Sequence, residues 1–224
     1  MRGGRRKLPV LAEISGPAPG ASRAWALRRA DLEALTELQG TLAPHLAVLV
    51  AGEEGLTGAL ALAGAASAAG RRTALLECDL ARPRLAADLG LAPAPGLHEY
   101  LRWEATAAEI LQPLVLAGPA AKGVTQPLIC IAAGRPAPDA ATLTNLESFR
   151  HAVAKLRSAY DLTVLAGPAL DPGDGSLAAI AARADALLFA AAPTAIAGRS
   201  GRDLRAALRR LPVDVRGAIA VGAG

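Results

Sequence analysis

The sequence HLAVLVAGEEGLTGALALAGAASAAGRRTALLECDLARPRL, residues 45–85, carries the main signal for the fold. Its apolar run at 46–50 predicts a buried strand. A turn rich in glycine and glutamate follows, and small residues predict a helix over about 57–69, with Gly70 as its stop. A second apolar strand is predicted at 73–76 and ends in Glu77-Cys78-Asp79. Parallel α/β sheets bind their ligands at this end of the strands, so the acidic residues indicate a candidate site.

The turn between the first strand and the helix resembles a phosphate-binding loop that has lost its charge. A P-loop needs Gly-Lys-Ser/Thr, because the amides cradle phosphate, the lysine neutralises the β- and γ-oxygens, and the hydroxyl binds Mg²⁺. The corresponding residues here are Gly55, Leu56 and Thr57. The glycine and the hydroxyl are present, whereas leucine replaces the lysine.

Backbone amides at the start of a helix attract anions whatever the side chains are, so weak binding of ATP or ADP with Mg²⁺ remains open. The candidate nucleotide-binding residues are Gly52, Glu54, Gly55, Thr57 and Gly58. The candidate metal ligands are Thr57, Glu77 and Asp79. Two of these residues also have a structural interpretation: Thr57 would cap the helix, which we favour, and Asp79 would equally well pair with Arg82 or Arg84.

Length and composition predict one cytoplasmic α/β domain. The 224 residues are ample for a core, no apolar run approaches the roughly 20 residues that span a bilayer, and no signal peptide opens the chain. Two isolated cysteines predict buried thiols, and three scattered histidines show no ligand spacing. The lysines are Lys7, Lys122 and Lys155, so none is near enough in sequence to replace Leu56.

Apolar patterns along the rest of the chain alternate between strands and helices. Strands are predicted at 8–14, 127–132, 160–165, 186–190 and 215–221, and helices at 24–42, 146–158, 176–184 and 198–211, with a proline-rich loop at 133–145. This alternation predicts a mostly parallel, doubly wound sheet with helices on both faces. We expect residues 1–22 to form a basic tail, a short strand and a linker, and 23–224 to form the domain.

Six segments, in order, resemble motifs of the cytoplasmic domain of bacterial tyrosine kinases (BY-kinases), within the Mrp/MinD/ParA-like P-loop ATPases. LPVLAEI at 8–14 is similar to LPVLG-I, and LLECDLARPRL at 75–85 to L-(I/L)-D-x-D-L-R-R-P. GLHEYLRWEA at 96–105 is similar to G-L-(S/T)-(D/E)-Y-L-x-G-E, and YDLTVLAGPAL at 160–170 to Y-D-(Y/L/F)-V-(I/L)-I-D-T-P-P. The helix at 28–42 and ICIAAGRPAPDAATL at 129–143 resemble two further motifs.

The departures from these motifs fall on catalytic positions. The resemblance places the catalytic lysine at Leu56 and the carboxylate that ends the Walker B strand at Ala166. Lysine and Mg²⁺ supply most of the electrostatic stabilisation in phosphoryl transfer, so their loss predicts no useful turnover. The C-terminal tyrosine cluster of the kinases is also absent, since the tyrosines are Tyr100 and Tyr160.

Three functions are therefore weighed. The first is a catalytically degenerate kinase-fold domain that binds a partner in exopolysaccharide or capsule export, either its own kind or the membrane chain-length regulator. The second is a weakly active Mg-ATP-dependent kinase or ATPase that uses Glu77 and Asp79. The third is a ParA-like nucleic-acid-associated protein, which the modest net charge of +4 disfavours.

Two basic segments bear on the choice of partner. The tail residues Arg2, Arg5, Arg6 and Lys7 would allow contact with acidic lipids at the inner face of the plasma membrane, although a solvated end is the favoured interpretation. The arginines of the last helix, Arg199, Arg202, Arg205, Arg209 and Arg210, would face phosphates in a nucleic-acid binder, but we favour a solvated face.

Overall fold

The computed structural model describes residues 8–16, 29–43, 46–115, 127–171, 175–197 and 200–222. The predicted basic tail, the linker, the first part of the predicted helix at 24–42 and Arg199 lie outside these ranges. No helix in the described ranges has both the length and the apolar character needed to span a bilayer.

Strands and helices alternate along the chain. The strands are β1 Val10–Ser15, β2 Leu46–Ala51, β3 Thr73–Glu77, β4 Gln112–Leu114, β5 Leu128–Ile131, β6 Leu162–Ala166, β7 Ala186–Ala191 and β8 Asp214–Gly222. The helices are α1 Arg29–Gly40, α2 Gly55–Ala68, α3 Leu85–Leu89, α4 Leu97–Leu101, α5 Ala107–Ile110, α6 Ala140–Asn145, α7 Glu147–Ala159, α8 Ser176–Ala181, α9 Pro193–Ala197 and α10 Ser200–Leu208.

The described strands form one eight-stranded sheet in the order β1-β8-β7-β2-β6-β3-β5-β4. All neighbours are parallel except β4 and β5, which are antiparallel. The predicted mostly parallel sheet is therefore confirmed. Because β6 lies between β2 and β3, the end of β6 lies beside the loops that follow those two strands.

Helices cover both faces of the sheet, as predicted. On one face, α1 and α2 pack in a cluster that includes Leu35, Leu62 and Val164. On the other face, Phe149, Val153 and Leu156 of α7 are buried among residues of β3 and β6. Helix α2 is buried nearly all round because its residues are small enough to lie close to the sheet.

Two short helices differ from the sequence prediction. The segment predicted as a proline-rich loop at 133–145 contains α6, whose residues Ala140 and Leu143 pack into the core. Helix α9 follows β7 directly, before the predicted arginine-rich helix. Both are too short for a clear 3.6-residue period, so their formation depends on tertiary packing that a sequence pattern does not show.

Candidate functional site

A cleft of about 170 Å³ lies at the carboxyl ends of β2, β3 and β6. It brings together several predicted site residues that are far apart in sequence. Its lining includes Gly52, Glu53, Leu56, Glu77, Asp79, Arg82, Arg84 and Ala166. The other candidates, Glu54, Gly55, Thr57 and Gly58, belong to the adjoining loop and the first turn of α2.

The loop between β2 and α2 departs from the P-loop pattern in the position of its glycines. In the pattern G-x-x-x-x-G-K-(S/T), four residues separate the two glycines, whereas two separate Gly52 from Gly55. With Leu56 at the lysine position, the first glycine of the pattern would fall on Val50, a buried residue of β2. The spacing was visible in the sequence, but our sequence analysis did not use it.

Amides of this loop bind carbonyl oxygens of the protein. Gly52 N donates to Pro168 O at 3.4 Å, and Glu54 N donates to Ala190 O at 3.1 Å. Gly55 N donates to Gly52 O at 2.9 Å. In a phosphate-binding loop such amides point towards the anion. Here these three are paired within the protein, and the loop lies directly on the ends of β6 and β7.

Close packing requires glycine at position 52. Gly52 has φ +127°, and a Cβ there would collide with the carbonyl oxygen of Ala190 and lie 2.8 Å from the Phe189 ring. Gly58 is also tightly packed, since a Cβ would lie 2.8 Å from Ala190 Cβ. These glycines allow the loop and α2 to approach β7, which is a structural role.

The two altered catalytic positions both lie at the cleft. Leu56, in the first turn of α2, is half-buried and packs against the hydrophobic core between α2 and the sheet. Ala166, at the end of β6, is buried and lies in register with Glu77 on β3 and Val50 on β2. Two apolar side chains therefore occupy the places that the resemblance assigns to a lysine and a carboxylate.

Glu77 is a buried carboxylate whose oxygens bind backbone amides. Its Oε1 accepts from Arg84 N at 2.6 Å and Leu85 N at 2.8 Å, and its Oε2 accepts from Ala133 N at 2.9 Å. Burial raises the pKa of Glu77, and the three amides oppose that rise without cancelling it. The carboxylate thus joins the end of β3 to the start of α3 and to the segment after β5.

Asp79 and Thr57 also have partners within the protein. Asp79 Oδ1 accepts from Arg82 N at 3.1 Å, and Asp79 Oδ2 lies 3.5 Å from Arg82 Nε, so Asp79 pairs with Arg82. The predicted cap at Thr57 is wrong, because α2 begins at Gly55 with Glu54 as the N-cap residue. The Thr57 hydroxyl instead donates to Glu54 Oε2 at 3.1 Å.

Among the described residues, no group of three or more histidine, cysteine or acidic side chains is placed to hold a metal ion.

The two cysteines are buried, and His98 is hydrogen-bonded within the protein. Cys78 and Cys130 are free and buried, as predicted, and burial raises the pKa of Cys130 to about 12 and that of Cys78 further. His98 Nδ1 lies 2.8 Å from the carbonyl oxygen of Arg135, and its Nε2 accepts from Arg102 Nε at 2.8 Å. Both ring nitrogens are therefore occupied.

A second buried carboxylate, Glu99, holds α4 against the segment after β5. Its Oε2 accepts from Gly96 N at 2.8 Å, and its Oε1 accepts from Arg135 Nε at 2.8 Å and from Arg135 N at 3.2 Å. Burial alone would raise the pKa of Glu99, but the Arg135 guanidinium and the amides outweigh it and lower the pKa to about 2. The sequence gives no signal for this ion pair, because Arg135 lies 36 residues after Glu99.

Comparison with solved structures identifies the class of fold as that of P-loop ATPases. The cell division ATPase MinD of Pyrococcus furiosus matches with a TM-score of 0.58 at 16% identity, covering 78% of this chain and 70% of that one. No protein-family model matches the chain, and no match is found among curated proteins.

Within that class, the chain has the fold of bacterial tyrosine kinase domains. The kinase domain of Escherichia coli tyrosine kinase ETK matches with a TM-score of 0.75 at 17% identity, over 96% of this chain and 91% of that one. The BceF tyrosine kinase domain matches with a TM-score of 0.67 at 18% identity, over 97% of this chain and 94% of that one. The resemblance found in the sequence motifs is thereby confirmed for the fold.

Proposed function

We propose that this chain is a catalytically degenerate member of the BY-kinase group, a kinase-fold domain that binds a partner without transferring phosphate. The observation that carries the proposal is the loop between β2 and α2, which lacks the first glycine and the lysine of the P-loop pattern and has amides paired with Pro168 and Ala190. A nucleotide would need this loop to leave the strand ends on which it packs. It would then meet Leu56 where a lysine is required.

The acidic side of the cleft supports the same proposal. Glu77 already accepts three amides that join β3 to α3 and to the segment after β5, which leaves about one of its roughly four acceptor positions for a Mg²⁺ ion. Ala166 supplies no carboxylate beside it. The residues at this cleft therefore do not fit a Mg-nucleotide.

The partners that we propose are a second copy of the domain and the membrane chain-length regulator of polysaccharide export. The kinases that the sequence resembles work with such regulators, and the kinase fold extends over nearly the whole chain. We accordingly propose a place on the cytoplasmic side of the membrane, in exopolysaccharide or capsule synthesis.

Titration with a fluorescent ATP analogue, with and without Mg²⁺, tests the loss of nucleotide binding. Three proteins should be compared: the natural chain, the Leu56→Lys/Ala166→Asp double variant, and that double variant with two glycines inserted after Glu53. We expect no saturable binding by the natural chain up to millimolar analogue, little by the double variant, and Mg²⁺-dependent binding once the loop is also lengthened.

Two results would count against the proposal. Tight, Mg²⁺-dependent binding by the natural chain would show that the loop opens readily, and would favour the weakly active kinase or ATPase. No binding by any of the three proteins would contradict the assignment of this loop as an altered P-loop.

A further inference from the structure

Trp103, in the turn after α4, is exposed over 83% of its surface. Its φ is +64°, and among the described residues it is the one non-glycine residue with a positive φ. This conformation is unfavourable for residues with a Cβ, and an exposed indole gains no free energy from burial on folding. Both features disfavour tryptophan at this position in an isolated monomer.

The turn that carries Trp103 is firmly held. Trp103 N donates to Tyr100 O at 3.1 Å, and Glu104 N donates to Glu99 O at 2.8 Å. On either side, Arg102 pairs with Asp139 at 2.6 Å and Glu104 pairs with Arg135 at 2.7 Å. The indole is therefore presented from a rigid base, which lowers the entropic cost of a contact made through it.

An apolar pocket of about 180 Å³ lies nearby, between α4–α5 and the C-terminal half of α7. Its apolar lining includes Leu97, Ile110, Ile131, Ala152, Leu156 and Ala159. The alanines leave space that larger side chains would fill. Lys155, Tyr100 and Tyr160 supply the polar part of the lining, and Lys155 makes no ion pair within the described ranges of the chain.

We infer that Trp103 of one copy inserts into this pocket of a second copy, and that the contact is reciprocal. Tyr100 lines the pocket and lies one helical turn before Trp103, so indole and pocket belong to one surface. A two-fold axis allows both copies to give an indole and receive one, which closes the assembly as a dimer.

The volume of the pocket and the charges beside it support Trp103 of a second copy as its occupant. An enclosed cavity of about 150 Å³ takes up benzene, and the present pocket is larger and open on one side, which suits an indole. Glu104 follows Trp103 and is half-exposed, so insertion would bring a carboxylate towards the Lys155 ammonium of the other copy. Exposed tryptophans that enter a pocket commonly dominate a protein interface.

This contact rests on the proposed self-association of the domain, but it does not depend on the proposed loss of nucleotide binding, so its test uses no nucleotide. The chain has two tryptophans, so Trp25→Phe leaves Trp103 as the single fluorescent reporter. Sedimentation equilibrium and emission spectra should be measured on this protein from about 1 μM to 1 mM. We expect a dimer whose formation shifts the emission of Trp103 to shorter wavelength.

Three further variants, each in the Trp25→Phe protein, isolate the contact. Trp103→Gly suits the positive φ, so it should fold with unchanged or higher stability and weaken the dimer roughly thirtyfold or more. Ala159→Leu, which fills the pocket from α7, should also weaken the dimer and leave the emission of Trp103 at long wavelength. Val115→Ala removes another highly exposed apolar side chain and should change nothing.

A monomer with exposed Trp103 emission at 1 mM would overturn the inference. A dimer that survives Trp103→Gly or Ala159→Leu unchanged would overturn it as well, because the copies would then meet through another surface.

Discussion

Replacing Glu99 with glutamine should destabilise the protein at neutral pH and have little effect in acid. The buried carboxylate accepts the Arg135 guanidinium and two amides, which lower its pKa from the ordinary 4.5 to about 2. A tenfold change in proton affinity is worth about 1.4 kcal/mol, so ionised Glu99 contributes about 3 kcal/mol. Because the folded-state pKa lies below that of the unfolded chain, this contribution is complete above about pH 4.5. It is lost as the pH falls towards 2.

Urea denaturation of the natural protein and Glu99→Gln at pH 7, 4 and 2.5 measures the effect. We expect a difference of about 3 kcal/mol in the free energy of unfolding at pH 7, which shrinks towards zero at pH 2.5. Glu104→Gln is the matched control, since Glu104 pairs with the same guanidinium but is half-exposed, and it should cost under about 1 kcal/mol. A difference for Glu99→Gln that stays constant with pH would refute the electrostatic explanation and indicate packing instead.

Three other substitutions test structural roles by urea denaturation at pH 7. Arg71→Met should lower the free energy of unfolding by about 2 kcal/mol, because Arg71 donates to Gln39 O at the end of α1 and to Asp161 O. The control Arg72→Met, at an exposed arginine, should lower it less, and equal losses would argue against this role of Arg71. Gly52→Ala should lower the free energy of unfolding by roughly 3 kcal/mol, because position 52 has a positive φ and a Cβ there would clash with Ala190. Gly175→Ala is the unstrained control. Unchanged stability of Gly52→Ala would mean that the loop moves away readily. Glu77→Gln should cost about 2 kcal/mol because its amide nitrogen would face the N–H of Ala133, and unchanged stability would contradict the anchoring role of Glu77.

The β2–α2–β3 unit could be predicted from the sequence because its signals are local. Apolar runs mark the two strands, small residues mark α2, and Gly70, with φ +84°, ends the helix region as predicted. The position of Ala166 beside Glu77 was also expected, since parallel strands end at one edge of a sheet.

The hydrogen bonding of the cleft could not be predicted in the same way. Gly52 and Glu54 pair with carbonyls more than 100 residues later in the chain, and Glu77 binds Ala133 N at a separation of 56 residues. Side chains that bind backbone amides across such distances leave no periodic signal in the sequence. Trp103 occupies the glycine position of the motif G-L-(S/T)-(D/E)-Y-L-x-G-E, which is the sequence signal for its positive φ, whereas its exposure becomes visible only in the structure.

Mg²⁺-dependent ATP turnover tests the central claim most directly. The natural protein and Asp79→Ala should be incubated with ATP, with and without Mg²⁺, and both phosphate release and tyrosine phosphorylation measured. The loss of the lysine and of the Walker B carboxylate predicts the same background rate for both proteins, with no phosphotyrosine. Mg²⁺-dependent hydrolysis or phosphotyrosine formation by the natural protein that disappears in Asp79→Ala would contradict a degenerate site and establish an active enzyme.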